Sequence, residues 1–383
     1  MPFKTDKEYQ DFKQSVFDFF WNELYPEAEE RMRTTGIVPE KEYLSRFAEK
    51  RLCGLLIPEE YGGVGLTVSQ YLPIVAESSK VNMVFRAIIH MANTTAREVV
   101  YYAREEQKKE YLPKLARGEL FLAFALTEAY AGTGVDSKTT AVRESDNYII
   151  NGEKHLITCS NYAKLFMVFC RSNKEIGRRG FSTILVDRDT PGFTIEPHLP
   201  LMAGWGCYHG ILTFKDCVVP ASMVLGKEGD GLDQALGELE TSRVFVAASS
   251  LGTAERALEL SLNRAKERVT FGKPVAERES VRGYLADMAM DVYALRTMLA
   301  DTARKIDAGE PCPVEASACK LFGMEAVCRV TEKALLVFGG IGYTRKYDIE
   351  RLHREARINL LEEGTPTIQR LVIARTLLEG YPW

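Results

Sequence analysis

Apolar side chains recur every three or four positions through the first part of the chain, a spacing that places them on one face of a helix. The clearest run is Phe12, Val16, Phe19, Phe20 and Leu24. The segment IPEEYGGVGLT at residues 57–67 interrupts this spacing with a proline and paired glycines, so it predicts a loop. The helical pattern resumes at VSQYLPIVAESSK. We therefore predict a mainly helical region over residues 7–120.

The pattern changes near residue 124 to short apolar or β-branched runs bounded by polar residues and glycine. These runs are KLFMVFCR, FSTILVDR and GILTFKDCVVP. In NYIINGEKHLIT, apolar residues flank Asn151-Gly152, which is a strong short-range signal for a β-hairpin. Several short strands within about a hundred residues predict a compact antiparallel barrel or sandwich.

The helical period returns from about residue 230. One face of a long helix is marked by Leu285, Met288, Val292, Leu295 and Leu299. Another helix follows through ASACKLFGMEAVCRVTEKALLVFGG, and long amphipathic helices with short connections predict a helical bundle. The sequence thus predicts a multi-domain α+β protein. Its N-terminal all-α domain covers residues 1–122, its middle β domain 123–230 and its C-terminal bundle domain 231–383.

Composition narrows the classes of function. The formal net charge of −4 gives no electrostatic reason to expect nucleic acid or an anionic membrane as a partner. The N-terminus lacks a secretory signal pattern, and no apolar run reaches the ~18 residues of a membrane span. The eight cysteines contain no CxxC pair, which favours a reducing cytoplasm over a disulfide framework or zinc site. The five histidines lack metal-ligand spacing, so we expect a reaction without a metal.

Three segments could contact a ligand. FALTEAYAGTGVDS, at 124–137, is a strand-like run followed by small residues whose free N–H groups can bind oxygen atoms, or it is an ordinary surface loop. ERVTFGKPV places an arginine that could bind phosphate near an aromatic ring, or a surface arginine near a helix end. VFGGIGY is either a cofactor contact or a helix C-cap. No strand–GxGxxG–helix unit occurs, so a nicotinamide Rossmann domain is not predicted.

The segment LLEEGTPTIQR, at 360–370, places Glu362 and Glu363 before a Gly-Thr-Pro turn. Thr365-Pro366 reads as the N-cap and first residue of a helix. Either one carboxylate is a working base that this loop directs inward, or both are exposed and only favour the helix N-terminus.

Together these segments resemble the acyl-CoA dehydrogenase family. The motifs IPEEYGG, LTEAYAGTG, NGEKHLIT, TFGKP, LADMAM, VFGGIGY and EEGTPTIQRLVIAR occur in that family's order and spacing along essentially the whole chain. The resemblance implies an N-terminal helical domain, a middle β domain and a C-terminal four-helix bundle. It also implies a homotetramer, a dimer of dimers, that binds FAD between domains and partly across a subunit interface.

The resemblance also implies the site residues. The predicted FAD contacts are Phe124, Leu126, Thr127, Gly132, Thr133, Leu156, Ile157, Thr158, Arg268, Phe271, Glu279, Leu336, Gly339, Gly340, Thr365 and Thr367. The predicted acyl-CoA contacts are Thr133, Ser242, Arg243 and Gly364. The family's E-G-T element places the base at Glu363 rather than Glu362. Relatives whose base lies elsewhere carry it immediately before the arginine that matches Arg243, and this chain has Ser242 there.

The activity that the resemblance implies is α,β-dehydrogenation of an acyl-CoA thioester to the trans-2-enoyl-CoA. Glu363 would remove the α-proton, FAD would accept the β-hydride, and an electron-transfer flavoprotein would accept the electrons. Leu156, Glu279 and Leu336 depart from the family's usual residues and point to a specialised acyl group. Arg86 could bind a carboxylated acyl chain, or it could be structural. Two alternatives are an enoyl-CoA reductase running the reverse reaction and a catalytically silent flavoprotein or scaffold.

Overall fold

Helices form the first third of the chain in the computed structural model, which describes residue 3 and residues 5–131, 136–173, 178–196 and 200–382. They are α1 (Asp6–Asp18), a π-helix (Phe19–Leu24), α2 (Tyr25–Thr34), α3 (Leu44–Glu49), α4 (Val68–Val81), α5 (Met83–Tyr102) and α6 (Glu105–Ala116). Capping boxes begin α1 and α4, where Thr5 pairs with Glu8 and Thr67 with Gln70. The predicted helical region is confirmed, as is the loop at 57–67.

The middle region is a seven-stranded sheet. Its strands are β1 (Leu122–Ala125), β2 (Thr140–Glu144), β3 (Asn147–Thr158), β4 (Leu165–Arg171), β5 (Phe181–Asp187), β6 (Phe193–Glu196) and β7 (His209–Pro220). The order is β1-β4-β2-β3-β7-β6, with β5 paired to β4. The β fold is confirmed, but the sheet is not wholly antiparallel. Both β1 and β2 run parallel to β4, and they lie one after the other along the edge of β4 that β5 leaves free.

The hairpin predicted at Asn151-Gly152 is wrong. Both residues lie inside β3, where Asn151 pairs with Thr140, and the chain reverses earlier at Ser145-Asp146. The register of β3 against β7 shifts between Ile150 and Gly152, which marks a bulge. Gly152 has φ 142°, and a Cβ there would lie 2.7 Å from the Cα of Thr139. The glycine therefore serves a close backbone approach rather than a turn.

The C-terminal region is a helical bundle followed by a last helix. Its helices are α7 (Gly231–Glu267), α8 (Glu279–Asp307), α9 (Pro313–Phe338), α10 (Ile349–Glu355) and α11 (Pro366–Leu378). A short hairpin, β8 (Val269–Thr270) and β9 (Lys273–Pro274), connects α7 to α8. The predicted apolar face of α8 is confirmed, since Met288, Val292, Leu295 and Leu299 are buried. Among the described residues, no helix is both long and apolar enough to cross a membrane.

The helix α7 also packs against the N-terminal helices. A Cβ on Gly252 of α7 would lie 1.8 Å from the carbonyl oxygen of Ala76 in α4, so only glycine allows this approach. One hydrophobic core contains residues of both regions, including Phe85 of α5 and Phe245 of α7. The side chains that α5 and α7 direct towards each other are therefore held on rigid elements.

A buried ion pair ties the loop after β1 to β3. The fully buried Lys154 ammonium lies 2.8 Å from the Glu128 carboxylate and also donates to the Leu126 carbonyl at 3.1 Å. The same carboxylate accepts from Ser137, from the Thr139 hydroxyl and from two backbone N–H groups. Burial alone would raise the pKa of Glu128, but these hydrogen bonds outweigh it and lower the pKa to about 2.

We expect Glu128→Gln to lower the free energy of unfolding by about 3 kcal/mol near neutral pH, because it leaves the buried ammonium without its anion. A carboxyl whose pKa is depressed in the fold stabilises fully above its ordinary value of 4.5, and this stabilisation is lost as the pH falls towards about 2. Urea unfolding should therefore show a smaller difference between wild type and variant at pH 3 than at pH 7.

The matched control is Asp136→Asn, which changes an exposed acid in the same loop that pairs with Lys138. We expect it to stay within about 0.5 kcal/mol of wild type. A difference for Glu128→Gln that persists unchanged at pH 3 would contradict the assigned pKa direction.

Candidate active site

The turn before α11 holds Glu363 in an uncommon backbone conformation. Glu363 has φ 52° and Gly364 has φ 98°, so two consecutive residues lie in the left-handed region. The buried amide of Gln369 donates to both of their carbonyl oxygens, at 3.1 and 3.2 Å. Thr365 occupies the N-cap position and Pro366 the first helical position, as predicted, although the described structure gives the Thr365 side chain no capping hydrogen bond.

The Glu363 carboxylate points into the protein. Its Oε1 accepts a hydrogen bond from the Ser242 hydroxyl at 2.5 Å and lies 2.7 Å from His90 Nε2. Its Oε2 is buried and has no hydrogen-bond partner within the described part of the chain. Only 13% of the side chain is exposed, so the alternative of two solvent-exposed glutamates is wrong.

Glu362 has a different environment from its neighbour. Arg86 donates to both of its oxygens, at 3.0 and 2.8 Å, in a bidentate pair. Burial would raise the pKa of Glu362, but Arg86, with smaller contributions from His90 and Lys320, lowers it below its ordinary value. Glu362 is thus an ionised anchor. Arg86 is 3% exposed and has this structural role in the chain.

Sequence reasoning missed His90 as a site residue, because it considered the histidine only as a metal ligand. Arg86 and His90 lie four residues apart on α5 and so share one face of that helix. Each contacts one member of the adjacent Glu362-Glu363 pair. A basic pair at this spacing, facing two consecutive acids, was the available signal.

The helix α7 supplies the predicted residues Ser242 and Arg243. Ser242 is 2% exposed and contacts Glu363. Arg243 is also buried; its Nη1 donates to the Ser317 hydroxyl at 3.4 Å, and its Nε has no partner among the described residues. Burial lowers the pKa of Arg243 although Glu240 and Glu363 oppose the shift. A buried, incompletely paired cation near the carboxylate suits a polar ligand atom.

The first group of predicted cofactor contacts lies at one edge of the sheet. Thr127 is exposed, and its carbonyl accepts from the His155 N–H at 2.8 Å, which joins the loop after β1 to β3. Leu156 has φ 55° and is 47% exposed beside a register shift in β3. Phe124 and Thr158 are half-buried, whereas Leu126 and Ile157 are buried. Gly132 and Thr133 lie outside the described residues.

The second group lies at the far end of the bundle. Val275, Val281 and Val337 form a small core that holds the β8–β9 hairpin against the start of α8 and the end of α9. The predicted contacts around it are exposed: Arg268, Phe271, Glu279, Leu336, Gly339 and Gly340. Phe271 is 96% exposed, and a Cβ on either glycine would meet no atom within 4 Å.

The single chain does not bring these two groups together at Glu363. Arg268 follows the end of α7, whereas Ser242 lies near its start. At about 1.5 Å per residue, the two positions are separated by roughly 40 Å along the helix. Thr365 and Thr367, by contrast, are exposed residues directly beside the Glu363 turn.

Comparisons with known proteins match the whole length of the chain. Models of the N-terminal, middle and C-terminal domains of acyl-CoA dehydrogenase match residues 6–119, 123–217 and 229–378. An acyl-CoA dehydrogenase of Bacillus subtilis (strain 168) is 36% identical over 370 residues, which cover 96% of this chain and 97% of that protein. The chain belongs to the acyl-CoA dehydrogenase family.

Two further relatives of this acyl-CoA dehydrogenase family member differ in the reaction that their names give. The acryloyl-CoA reductase (NADH) of Anaerotignum propionicum is 36% identical over 99% of this chain and 96% of its own length. The solved structure of butyryl-CoA dehydrogenase from Megasphaera elsdenii has a TM-score of 0.93 and 33% identity, over 99% of this chain and 100% of that one. The predicted fold, family and enzyme class are confirmed.

The two positions at which the resemblance allows a base, 242 and 363, lie next to each other in this structure. The Ser242 hydroxyl contacts the Glu363 carboxylate directly. Side chains from α7 and from the turn before α11 therefore reach the same point.

We expect Arg86→Met to lower the free energy of unfolding by about 3 kcal/mol, because it leaves the buried Glu362 carboxylate unpaired. The double variant Arg86→Met with Glu362→Leu should recover most of that loss, since it replaces both charges with apolar groups. Thermal and urea unfolding measure both effects.

Arg370→Met is the matched control, because it breaks an exposed pair with Glu325 and should cost less than about 1 kcal/mol. If the double variant were no more stable than Arg86→Met alone, the pair would not be the source of the loss.

Proposed function

We propose that this protein catalyses the FAD-dependent α,β-dehydrogenation of an acyl-CoA thioester to the trans-2-enoyl-CoA, with Glu363 as the base. The observation that carries the proposal is the Glu363 carboxylate, buried on a left-handed turn with one oxygen held by two side chains and the other free of hydrogen bonds within the described residues. A solvent-exposed glutamate without these contacts would not support a role as the base.

The dehydrogenation requires a proton acceptor that the protein holds in a fixed position beside the α-carbon of the substrate. The α C–H bond breaks, its proton moves to Glu363 Oε2, and its electron pair forms the new carbon–carbon double bond. FAD, when bound, supplies the acceptor for the hydride that leaves the β-carbon. We propose that the backbone N–H of Glu363 and the buried Arg243 bind polar atoms of the thioester.

The residues present fit a flat aromatic cofactor at the edge of the sheet. Leu156 exposes an apolar side chain from a left-handed backbone position, and a planar ring would cover it. Thr127 is joined to the neighbouring His155 through its carbonyl and Thr158 follows on the same strand, and both belong to the segments that the resemblance assigns to FAD. We propose that these residues hold the ring, with Thr365 and Thr367 on the side of the Glu363 turn.

A second copy of the chain would complete the cofactor site. Arg268 lies roughly 40 Å along α7 from Ser242, too far to serve the ring bound beside Glu363 in the same chain. The exposed Phe271 and Leu336 and the open Gly339-Gly340 form a surface suited to the remainder of an FAD molecule held by a neighbour. This surface supports a homotetramer built as a dimer of dimers, with three domains bounded near residues 122 and 230.

The acyl group that we propose is short and carries no second carboxylate. The names of relatives favour a short chain, namely butyryl-CoA dehydrogenase and acryloyl-CoA reductase. Arg86, the cation considered for a carboxylated chain, donates to Glu362 through both of its terminal nitrogens. We expect kcat/KM for butyryl-CoA to exceed that for glutaryl-CoA by at least about tenfold, measured by dye reduction. A preference for glutaryl-CoA would contradict this assignment.

The reverse reaction is the second candidate, and the likeness to an acryloyl-CoA reductase favours it. The same carboxylate would then deliver a proton to the α-carbon. In either direction we propose an electron-transfer flavoprotein as the redox partner. All eight cysteines are free, which supports the proposed cytoplasmic location. A silent scaffold predicts instead that acyl-CoA leaves the visible flavin spectrum unchanged, which the purified protein can test directly.

We expect Glu363→Gln to retain FAD and the oligomeric state but to lose at least ~100-fold in turnover, the usual scale for a positioned base. The amide keeps the size of the side chain and removes its capacity to accept a proton. Dye reduction with butyryl-CoA measures turnover, and the visible spectrum measures bound flavin.

Glu379→Gln, which changes an exposed glutamate beyond the end of α11, is the matched control and should keep wild-type turnover. Near-normal turnover in Glu363→Gln with full flavin occupancy would remove Glu363 from the proposed role.

A further inference from the structure

We infer that His90 is a positioning residue for the base, and that His90 and Ser242 together hold Oε1 of Glu363 so that Oε2 is the oxygen presented to the α-proton. This inference rests on the proposed role of Glu363 as the base. It adds a residue of α5 that none of the predicted contacts included, and it assigns different tasks to the two oxygens of one carboxylate.

The geometry separates the two oxygens clearly. His90 Nε2 lies 2.7 Å from Oε1 and the Ser242 hydroxyl lies 2.5 Å from the same atom. The two groups come from different helices, α5 and α7, and both residues are buried. Oε2 accepts no hydrogen bond from any described residue. Two donors on one oxygen fix the torsion of the carboxylate and leave the other oxygen as its free acceptor.

The histidine is well placed to donate. Its ring sits on a long buried helix, and its Nδ1 is buried with no partner in the described ranges. The 2.7 Å contact with Oε1 requires a donor, and we infer that Nε2 carries the proton of this hydrogen bond. When Oε2 takes the α-proton, Oε1 becomes the carbonyl oxygen of a neutral acid and still accepts from both donors. The positioning contacts therefore survive the reaction step.

The helix α5 also binds Glu362, the residue before Glu363, through a side chain one helical turn before His90. Arg86 binds Glu362 through two hydrogen bonds, so α5 contacts the turn at two consecutive residues. This double contact fixes both the backbone entering Glu363 and its side chain. The charged or titratable groups that surround the His90–Glu363 pair are Arg86 on α5, Glu362 in the turn, Lys320 on α9, Glu238 and Arg243 on α7, and Tyr71 on α4.

The decisive experiment compares His90→Leu with His90→Gln. Glutamine places an amide N–H where Nε2 lies, whereas leucine fills similar space without a donor. We expect His90→Leu to lower kcat by roughly tenfold to a hundredfold with KM changed by less than about threefold, because a hydrogen bond to a charged group is lost.

His90→Gln should restore kcat to within about fivefold of wild type, because it keeps the donor. Crystal structures give a readout that does not depend on turnover: Glu363 should keep its conformation in His90→Gln and turn away from Ser242 in His90→Leu. Wild-type kcat in His90→Leu would overturn the inference, as would an equal loss in both variants.

Ser242→Ala tests the inference independently if the His90 variants fail to fold. It removes the second donor to Oε1 with little change in side-chain volume. We expect it to lower kcat in the same direction, again with little change in KM. Thr95→Val on α5 is the matched control, since its hydroxyl donates only to the Met91 carbonyl of its own helix. If Glu363→Gln were fully active, the proposed base would fail; if it were inactive while His90→Leu and Ser242→Ala behaved as wild type, only the positioning role would fail.

Discussion

The contact of α5 with the turn before α11 is the interaction on which the site depends. Arg86 and His90, one helical turn apart, contact Glu362 and Glu363. These partners are separated by more than 270 positions in sequence, so the contact forms only when the N-terminal helices and the C-terminal bundle are packed. The close approach of Gly252 to Ala76 permits that packing. Formation of the active geometry is therefore coupled to completion of the fold.

Charges buried around this contact contribute more to specificity than to net stability. A bidentate pair such as Arg86–Glu362 loses hydration on both partners, and its attraction roughly offsets that cost. The Arg86–Glu362 pair disfavours any alternative packing in which one of the two charges is buried without the other. Lys154 and Glu128 do the same for the loop that follows β1, where the pair fixes segments on both sides of the predicted cofactor loop. The protein thus uses ion pairs to select one arrangement of its functional segments.

The sequence was informative where a local pattern determines the structure. The spacing of Leu295 and Leu299 identified a buried helix face, and the ordered motifs identified the family. The sequence predicted a hairpin wrongly at Asn151-Gly152, because an Asn-Gly dipeptide suits a bulge as well as a tight turn. The pairing of β3 with its neighbouring strands, which local sequence does not determine, decides between the two. The sequence was silent on His90, since the partner of a helical histidine is set by tertiary packing. Residues that contact across hundreds of positions leave little trace in local spacing.

The left-handed conformation of Glu363 and Gly364 restricts which sequences this turn can tolerate. Side chains branched at Cβ are strongly disfavoured at a φ of 52°, so valine, isoleucine and threonine are poor replacements at position 363 whatever their chemistry. At position 364, a Cβ would lie 2.8 Å from the Gln369 amide nitrogen that fastens the turn. Diversification of this turn would therefore retain glycine at position 364 and favour unbranched side chains at position 363. Position 242, on ordinary helical backbone, carries no such conformational restriction.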